Sequence, residues 1–473
     1  MTPVPQLSAA LFPDLTRYPE KVIQFGGGNF MRAFVDWQLQ QMNDQGLFQG
    51  SAVLVQAFSK KIDPTFAEQD HLFTVLLNGI ENGQSVNKVE LVSSLSRLLN
   101  PALDYEAYLK LAEDEQLSVI VSNTTEAGIV YQPEPMPTTE APDYFPAKLA
   151  ALLYRRYTLK KPGFTIIPCE LIDRNGEKLL EIVQKHAEDW QLGSEFISWL
   201  NTDNTFCCSM VDRIVPGYPN QSETELQQRL NYSDKLAVSA EPYMLWVIEG
   251  PQEVSQQLPL IQAGLNVIIV PDMTPYRERK VHLLNGPHTA MVPLGLLSGL
   301  DTVEEVVNDH TLSAFLQDMI QHELIPMLDL PADELRDYAK DVWDRFRNPY
   351  IRHELRSISL NSISKFKARL LPILLSFAQK RSELPARITF AFAALLHSYQ
   401  SNPSQRQDEA AVLEIFDRAT SDGDSSSFVS SILSETALWG LDLNTVPGLA
   451  ERLRHHLKEL ESSSPIHLLN VSN

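Results

Sequence analysis

Disulfide chemistry has little to work with in this chain: its 473 residues include three cysteines, Cys169, Cys207 and Cys208. Three cannot all pair, and neighbours such as Cys207 and Cys208 rarely close an unstrained bridge, so a disulfide framework is excluded and a reducing compartment fits. Long apolar runs are missing too. No stretch approaches the roughly 18 residues needed to cross a bilayer, and the start, Met1-Thr2-Pro3-Val4-Pro5, lacks the basic region of a secretory leader. Positive charge is scarce, with 39 Lys and Arg against 60 Asp and Glu and a net charge of -21. That excludes nucleic acid and anionic membrane surfaces as partners, since both require a basic footprint. His322 and His353 each open His-Glu-Leu without continuing to H-E-x-x-H, and His455 and His456 read as neighbours pointing apart on a charged helix, so no metal site is expected. Without a G-x-S-x-G elbow or a P-loop, hydrolase and kinase chemistry has no motif. The expectation is a soluble cytoplasmic protein, monomeric or a small homo-oligomer, with a small-molecule partner.

What is present is enough apolar residue, 44% of the chain, to fill two ordinary cores, and the length implies two large domains. In the first half, short β-branched or apolar runs at residues 22–25, 53–58, 118–122, 164–169 and 266–270 alternate with helical patterns at 30–42 and 176–190. Strands alternating with helices predict an α/β fold with a parallel, doubly wound sheet of Rossmann type, over residues 1–275. From 276 to 473 the strand signal fades. Stripes such as Leu312, Phe315, Leu316, Met319 and Ile320, or Leu335, Tyr338, Val342, Trp343 and Phe346, predict a mainly helical substrate-binding domain, with further helices at 366–379, 386–400, 409–420 and 446–461. Five prolines within 132–146 exclude regular structure there, leaving a surface excursion or a lid as readings. Ser425 to Ser427 and the tail after Ser462 read as flexible surface.

Lys21-Val22-Ile23-Gln24-Phe25 runs into Gly26-Gly27-Gly28-Asn29-Phe30, a strand entering a glycine turn that opens a helix. Glycines there let backbone N–H groups and a helix N-terminus approach a pyrophosphate. Gly26 and Gly28 fill two places of G-x-G-x-x-G and Met31 stands at the third, so a plain turn is the competing reading. Arg32 reads equally as a phosphate contact or a solvated cation. The acid that usually meets the adenosine ribose is missing from Val53-Leu54-Val55-Gln56-Ala57-Phe58-Ser59, and Lys60 and Lys61 follow, which leaves NADP open beside NAD. Ser122-Asn123-Thr124-Thr125-Glu126-Ala127-Gly128 closes another strand, where small polar side chains suit a nicotinamide ribose or, more simply, a helix cap.

Lys280-Val281-His282-Leu283-Leu284-Asn285-Gly286-Pro287-His288 carries the chemistry. It offers an amine to take an alcohol proton, an amide to hold an alkoxide and an imidazole to orient a hydroxyl. On a regular helix of about 100° per residue these three span an arc of about 140°, wide for one site; a break at Gly286-Pro287 or a chance surface pattern are the alternatives. Between Arg345 and Arg369 lie seven cations, Arg345, Arg347, Arg352, Arg356, Lys365, Lys367 and Arg369, against one acid, Glu354. Such a run fits anion recognition through guanidinium forks, or a solvated helix face.

Five blocks occur in order: Gly26-Gly27-Gly28-Asn29-Phe30-Met31-Arg32-Ala33, Ser122 to Gly128, Met210-Val211-Asp212-Arg213-Ile214, Glu241-Pro242-Tyr243-Met244-Leu245-Trp246, and Lys280-x4-Asn285-x2-His288. In these the chain resembles the polyol-specific long-chain dehydrogenases, the mannitol dehydrogenase family, over almost its full length. The resemblance implies NAD(H) as cofactor, with Phe25, Gly26, Gly27, Gly28, Asn29, Phe30, Arg32, Ser122, Asn123 and Thr124 as candidate contacts. It implies Lys280 as general acid/base, Asn285 and His288 as oxyanion and substrate partners, and Arg356 and Lys365 near the family's basic substrate-binding positions. Ile167-Pro168-Cys169-Glu170-Leu171-Ile172, followed by Asn175-Gly176, departs from the S-C-D-N of many relatives. Leu171 takes the place of their second oxyanion asparagine, so either Asn285 acts alone or another donor replaces it. The implied activity is reduction of D-tagaturonate to D-altronate in hexuronate breakdown. Fructuronate, mannitol or a sugar-alcohol phosphate are alternative substrates, and a nucleotide-binding regulatory protein without chemistry is the non-enzyme alternative.

Overall fold

The computed structural model describes residues 4–58, 60–421 and 425–471. Ser59, which follows the second predicted strand, the first three residues of the start and the last two of the tail lie outside the described residues. The chain divides into two compact units, Met1–Gly79 with Ser85–Met273, and Ile80–Gln84 with Thr274–Asn473. No helix among the described residues is long and apolar enough to cross a membrane.

The first unit is built on six parallel strands: β1 (Glu20–Phe25), β2 (Ser51–Val55), β3 (Leu95–Leu99), β4 (Val119–Ser122), β5 (Thr165–Pro168) and β6 (Thr205–Phe206). They pair in the order 3-2-1-4-5-6, the doubly wound arrangement in which the order reverses between β1 and β4. Side chains alternate across a strand, so each sends its apolar residues to two cores. Val22, Leu54, Val121 and Ile167 pack on one face with Phe34 and Trp246. Ile23, Phe25, Val53, Val55, Ile120 and Ile166 pack on the other with Phe145, Leu149 and Val183. All five residues of β2 are buried, as a sheet covered on both faces requires.

Two departures from the sequence reading stand out in this unit. The run at 266–270 forms a strand, Val267–Val270, but outside the main sheet: it pairs in parallel with Leu245–Glu249, which runs antiparallel to Cys208–Asp212. The sequence reading also misses the hairpin Phe73–Glu81 and Gln84–Val92. Its signal is Asn82-Gly83, both at positive φ (52° and 73°), the two-residue turn whose twist matches paired strands.

The second unit is helical, and after Met273 the only extended pairing among the described residues is the bridge between Thr302 and Glu354. The predicted helices at 386–400, 409–420 and 446–461 are present as Ala386–Ser401, Ala410–Ser421 and Leu449–Leu460. That at 366–379 is two helices, Ser362–Arg369 and Leu371–Arg381, because Pro372 lacks an N–H and its ring opposes the carbonyl four residues back. The serine run opens the helix Ser425–Ser434 instead of a loop, and the tail contains the helix Pro465–Val471. Burial of Phe428, Val429, Ile432 and Leu433 outweighs the weak helical preference of the serines.

Candidate active site

In the first unit the chain leaves β1 through Gly26 and enters a helix at Asn29. Gly26 sits at φ +102°, and a Cβ there would stand 2.5 Å from the Asn123 carbonyl oxygen; only glycine fits. At Gly28, the residue before the helix, a Cβ would meet no protein atom within 4 Å. Gly28 therefore holds open a place that the protein's own packing does not use. That is the close backbone approach a dinucleotide pyrophosphate requires, so the turn fits such a group. Gly26, Gly27, Arg32, Leu54, Phe58, Asp63 and Asn123 line a recess there.

Several candidate cofactor contacts have structural work of their own. The Phe25 ring lies in the core against Phe145, 4.8 Å between centroids, because strand alternation turns it away from the glycine face. Phe30 stacks on Phe34 at 4.9 Å. Buried Arg32 donates to the Gly27 carbonyl at 2.8 Å and to the Asn29 side chain at 2.7 Å, clamping the turn, while desolvation lowers its pKa. The Ser122 hydroxyl donates to Glu170 at 3.0 Å, and the Thr124 backbone N–H and hydroxyl both donate to Glu170 at 2.8 and 2.9 Å. Glu170 is buried, and desolvation raises its pKa against those hydrogen bonds. Sequence reasoning did not single out Glu170 as the anchor of this loop. The Asn123 amide reaches the Cys169 carbonyl at 2.9 Å.

Two of the sequence blocks brace the same turn. Arg213 donates to the Ala33 carbonyl and to the Glu241 carbonyl, at 2.8 and 2.9 Å, with its guanidinium 4.3 Å from the Trp37 ring centre. Ala33 lies in a π turn, Arg32–Asp36, that interrupts the first helix. Asp36 at its end is fully buried; burial raises its pKa to about 7, opposed by Gln24 and Arg32. Gln24 Nε2 lies between the Gly26 carbonyl (3.1 Å) and the Asp36 carboxylate (3.3 Å). Leu171 is 66% exposed. The nearby Asn175 amide is spent on the carbonyls of Pro168, Glu170 and Ser209, each at 3.0 Å, so it does not replace the missing donor.

In the second unit Lys280 ends the helix Thr274–Lys280, Asn285 ends a π turn, Val281–Asn285, and His288 lies in the first turn of Gly286–Leu297. The regular-helix geometry expected from sequence is thereby corrected. A π turn acts as a one-residue insertion, rotating all that follows back by about 100° and narrowing the arc of the three side chains from about 140° to about 60°. Gly286-Pro287 does not break the helix, because proline is tolerated in a first turn. Among the described residues the Asn285 amide has no hydrogen-bond partner, while its carbonyl accepts from Thr289 Oγ1 at 2.9 Å.

His288 is buried and its Nε2 has no partner among the described residues. Its ring packs on Phe346 at 4.4 Å and edge-on to His353 at 5.0 Å. Desolvation first, then His353, Arg345, Arg369 and Lys365, hold its pKa well below the ordinary histidine value, so the ring is neutral near pH 7. The basic segment thus does not act as one group. Arg345, Lys365 and Arg369 act on His288; Arg369 donates to Thr289 Oγ1 at 3.1 Å and Lys365 to the Ile358 carbonyl at 2.8 Å. Arg356 is not brought to this group: it is exposed and lines a different recess, with Val292 and Pro293. His455 and His456 do not point apart, since both reach Glu459, at 3.4 and 2.9 Å.

The family models for the mannitol dehydrogenase Rossmann domain and the mannitol dehydrogenase C-terminal domain match residues 20–262 and 272–461. The chain belongs to the mannitol dehydrogenase family and is an oxidoreductase acting on CH–OH groups. It is 45% identical over 461 residues to the altronate oxidoreductase of Bacillus subtilis (strain 168), covering 96% of this chain and 95% of the relative. It is 42% identical over 460 residues to the altronate oxidoreductase of Yersinia enterocolitica serotype O:8, covering 94% and 95%. Among solved structures, D-sorbitol dehydrogenase in substrate-free form has a TM-score of 0.79 at 22% identity, covering 95% of this chain and 94% of that one. Pseudomonas fluorescens mannitol 2-dehydrogenase, in a ternary complex with NAD and D-mannitol, has a TM-score of 0.65 at 22% identity, covering 100% and 97%. These two show that the fold is shared.

Proposed function

We propose that this protein interconverts D-tagaturonate and D-altronate with NAD(H), in the cytoplasm. The observation that carries the reading is the cationic surround of His288, in a chain of net charge -21 that is 42–45% identical to relatives named altronate oxidoreductase. A sugar acid differs from a polyol by a carboxylate, and Lys365 and Arg369 are the cations that would meet it. A bound nicotinamide supplies the hydride acceptor or donor. The chain's own residues then handle the proton: Lys280 takes it from the carbinol oxygen in oxidation and returns it in reduction, the Asn285 amide donates to that oxygen while it carries charge, and neutral His288 orients a substrate hydroxyl. Leu171 offers no hydrogen bond, so Asn285 is the amide donor to the oxyanion.

For the nucleotide, Asp63 supports NAD over NADP. It lines the recess with Gly26 and Gly27, follows Phe58 by five residues, and its negative charge opposes a 2′-phosphate. Exposed Lys60 is paired with Asp143 at 3.4 Å. The test is kcat/KM for tagaturonate, fructuronate and fructose with NADH and with NADPH. Tagaturonate with NADH is expected to lead by at least about 100-fold over fructose, roughly what a paired charge confers. Equal turnover of fructose would remove the carboxylate from the argument and leave a polyol dehydrogenase.

A further inference from the structure

A second recess in the helical unit is distinct from the group around His288. Its floor is the later part of the Gly286–Leu297 helix, Val292, Pro293 and Leu296, and its polar wall is Arg356, Ser398, Asn402 and Arg406, around a cavity of about 70 Å³. Among the described residues no acidic side chain lines it.

Two arginines line this recess. The Arg406 side chain is 3% exposed. It donates through Nε to the Tyr399 carbonyl and pairs through Nη1 with Asp417, but its Nη2 is buried with no partner among the described residues. Leaving such a charged donor unpaired is unfavourable, and native proteins seldom do so unless something else supplies the acceptor. Arg356 is exposed, and among the described residues only its backbone carbonyl has a partner, accepting from Ser359. Neither cation acts on His288.

From this geometry we infer a binding site for a small anion, a phosphate or carboxylate group held between Arg356 and Arg406, with its carbon skeleton, where it has one, against the wall of Val292, Pro293 and Leu296. Guanidinium forks match the paired oxygens of either group. The site shares a helix with His288 at positions four, five and eight residues further on, yet uses none of the residues assigned to proton transfer.

The test uses the full-length protein with inorganic phosphate and, separately, malonate, each against chloride of matched ionic strength. Calorimetry is expected to show saturable binding, and an anion at about ten times its Kd should raise the melting temperature by about 3 °C. Tighter phosphate binding marks a phosphate ester as the physiological ligand; tighter malonate binding marks a carboxylate. R356Q, a change at an exposed side chain, should abolish the heat and the shift, whereas K365Q, in the group around His288, should leave both. Absence of saturable binding overturns the inference, as does binding that survives R356Q. Loss in K365Q as well would place the anion beside His288 and overturn it equally.

Discussion

The helix that follows the glycine turn of the first unit and the Lys280 helix of the second each contain a π turn, and they use it to opposite ends. Arg32–Asp36 is buried throughout and braced by Arg213 on the Ala33 carbonyl; its function is to hold backbone still so that Gly26 and Gly28 keep their places. Val281–Asn285 rotates side chains, bringing Lys280, Asn285 and His288 toward one face. One site is made of main chain and the other of side-chain tips. A main-chain site depends on residues with no side chain, which leave glycines in the sequence. A side-chain site depends on the direction of its groups, here set by a π turn, and on cations such as Lys365 and Arg369 brought from a distant segment, neither of which a local pattern records.

That contrast can be broken by substitution. The largest effect expected is for Lys280→Ala, which should lower kcat/KM near neutral pH by about 10³-fold while the NADH dissociation constant, read by fluorescence titration, stays within about twofold. A K280A enzyme that turns over normally would end the assignment of Lys280. Next comes Gly26→Ala. It forces a side chain into positive φ against the Asn123 carbonyl, and urea unfolding of the first unit should show a loss of about 2–4 kcal/mol. Lys365→Gln should raise KM for the sugar acid about tenfold or more, the worth of one charge-assisted hydrogen bond, with little change in kcat.

The carboxyl of Asp36 gives a pH prediction. Its pKa rises on folding, to about 7, so between its unfolded value and about 7 the folded state holds a proton that the unfolded chain has lost. Stability from this group is present below about pH 4 and declines as pH rises to about 7. Asp36→Asn should flatten that decline, by roughly 2–4 kcal/mol at pH 8 relative to the native protein; parallel unfolding free energies across the range would show that Asp36 titrates normally. The smallest structural effect is for Gly28→Ala. Its Cβ meets nothing in the protein, so stability should hold within about 0.5 kcal/mol while NADH binds about tenfold more weakly. Gly26→Ala and Gly28→Ala thus separate a glycine the fold needs from one the ligand needs.

Period-2 and period-3.6 patterns made the parallel sheet and the helical half legible in the sequence, and the glycines and ordered blocks marked the candidate sites. The hairpin was legible in Asn82-Gly83 but missed, because alternation around it is weak: Phe73 to Leu77 are all buried, Thr74 included, so both faces of the strand are covered and the period is masked. The roles of Glu170, Arg213 and Asp63 were not legible. Each is an ordinary charged residue until the fold supplies its partners, 28 to 180 residues away for the first two.

Composition and local spacing by themselves determined that this chain folds as an α/β unit followed by helices, and the ordered blocks, through their resemblance to a family, marked the stretch from Lys280 to His288 as the candidate for proton chemistry. Only tertiary structure decided that a π turn rotates those side chains together, and that Arg345, Lys365 and Arg369 gather on His288 while Arg356 lines a separate recess. The reason is range: helical period and glycine permissiveness act within a few residues, whereas electrostatics and burial act between whichever segments packing brings into contact.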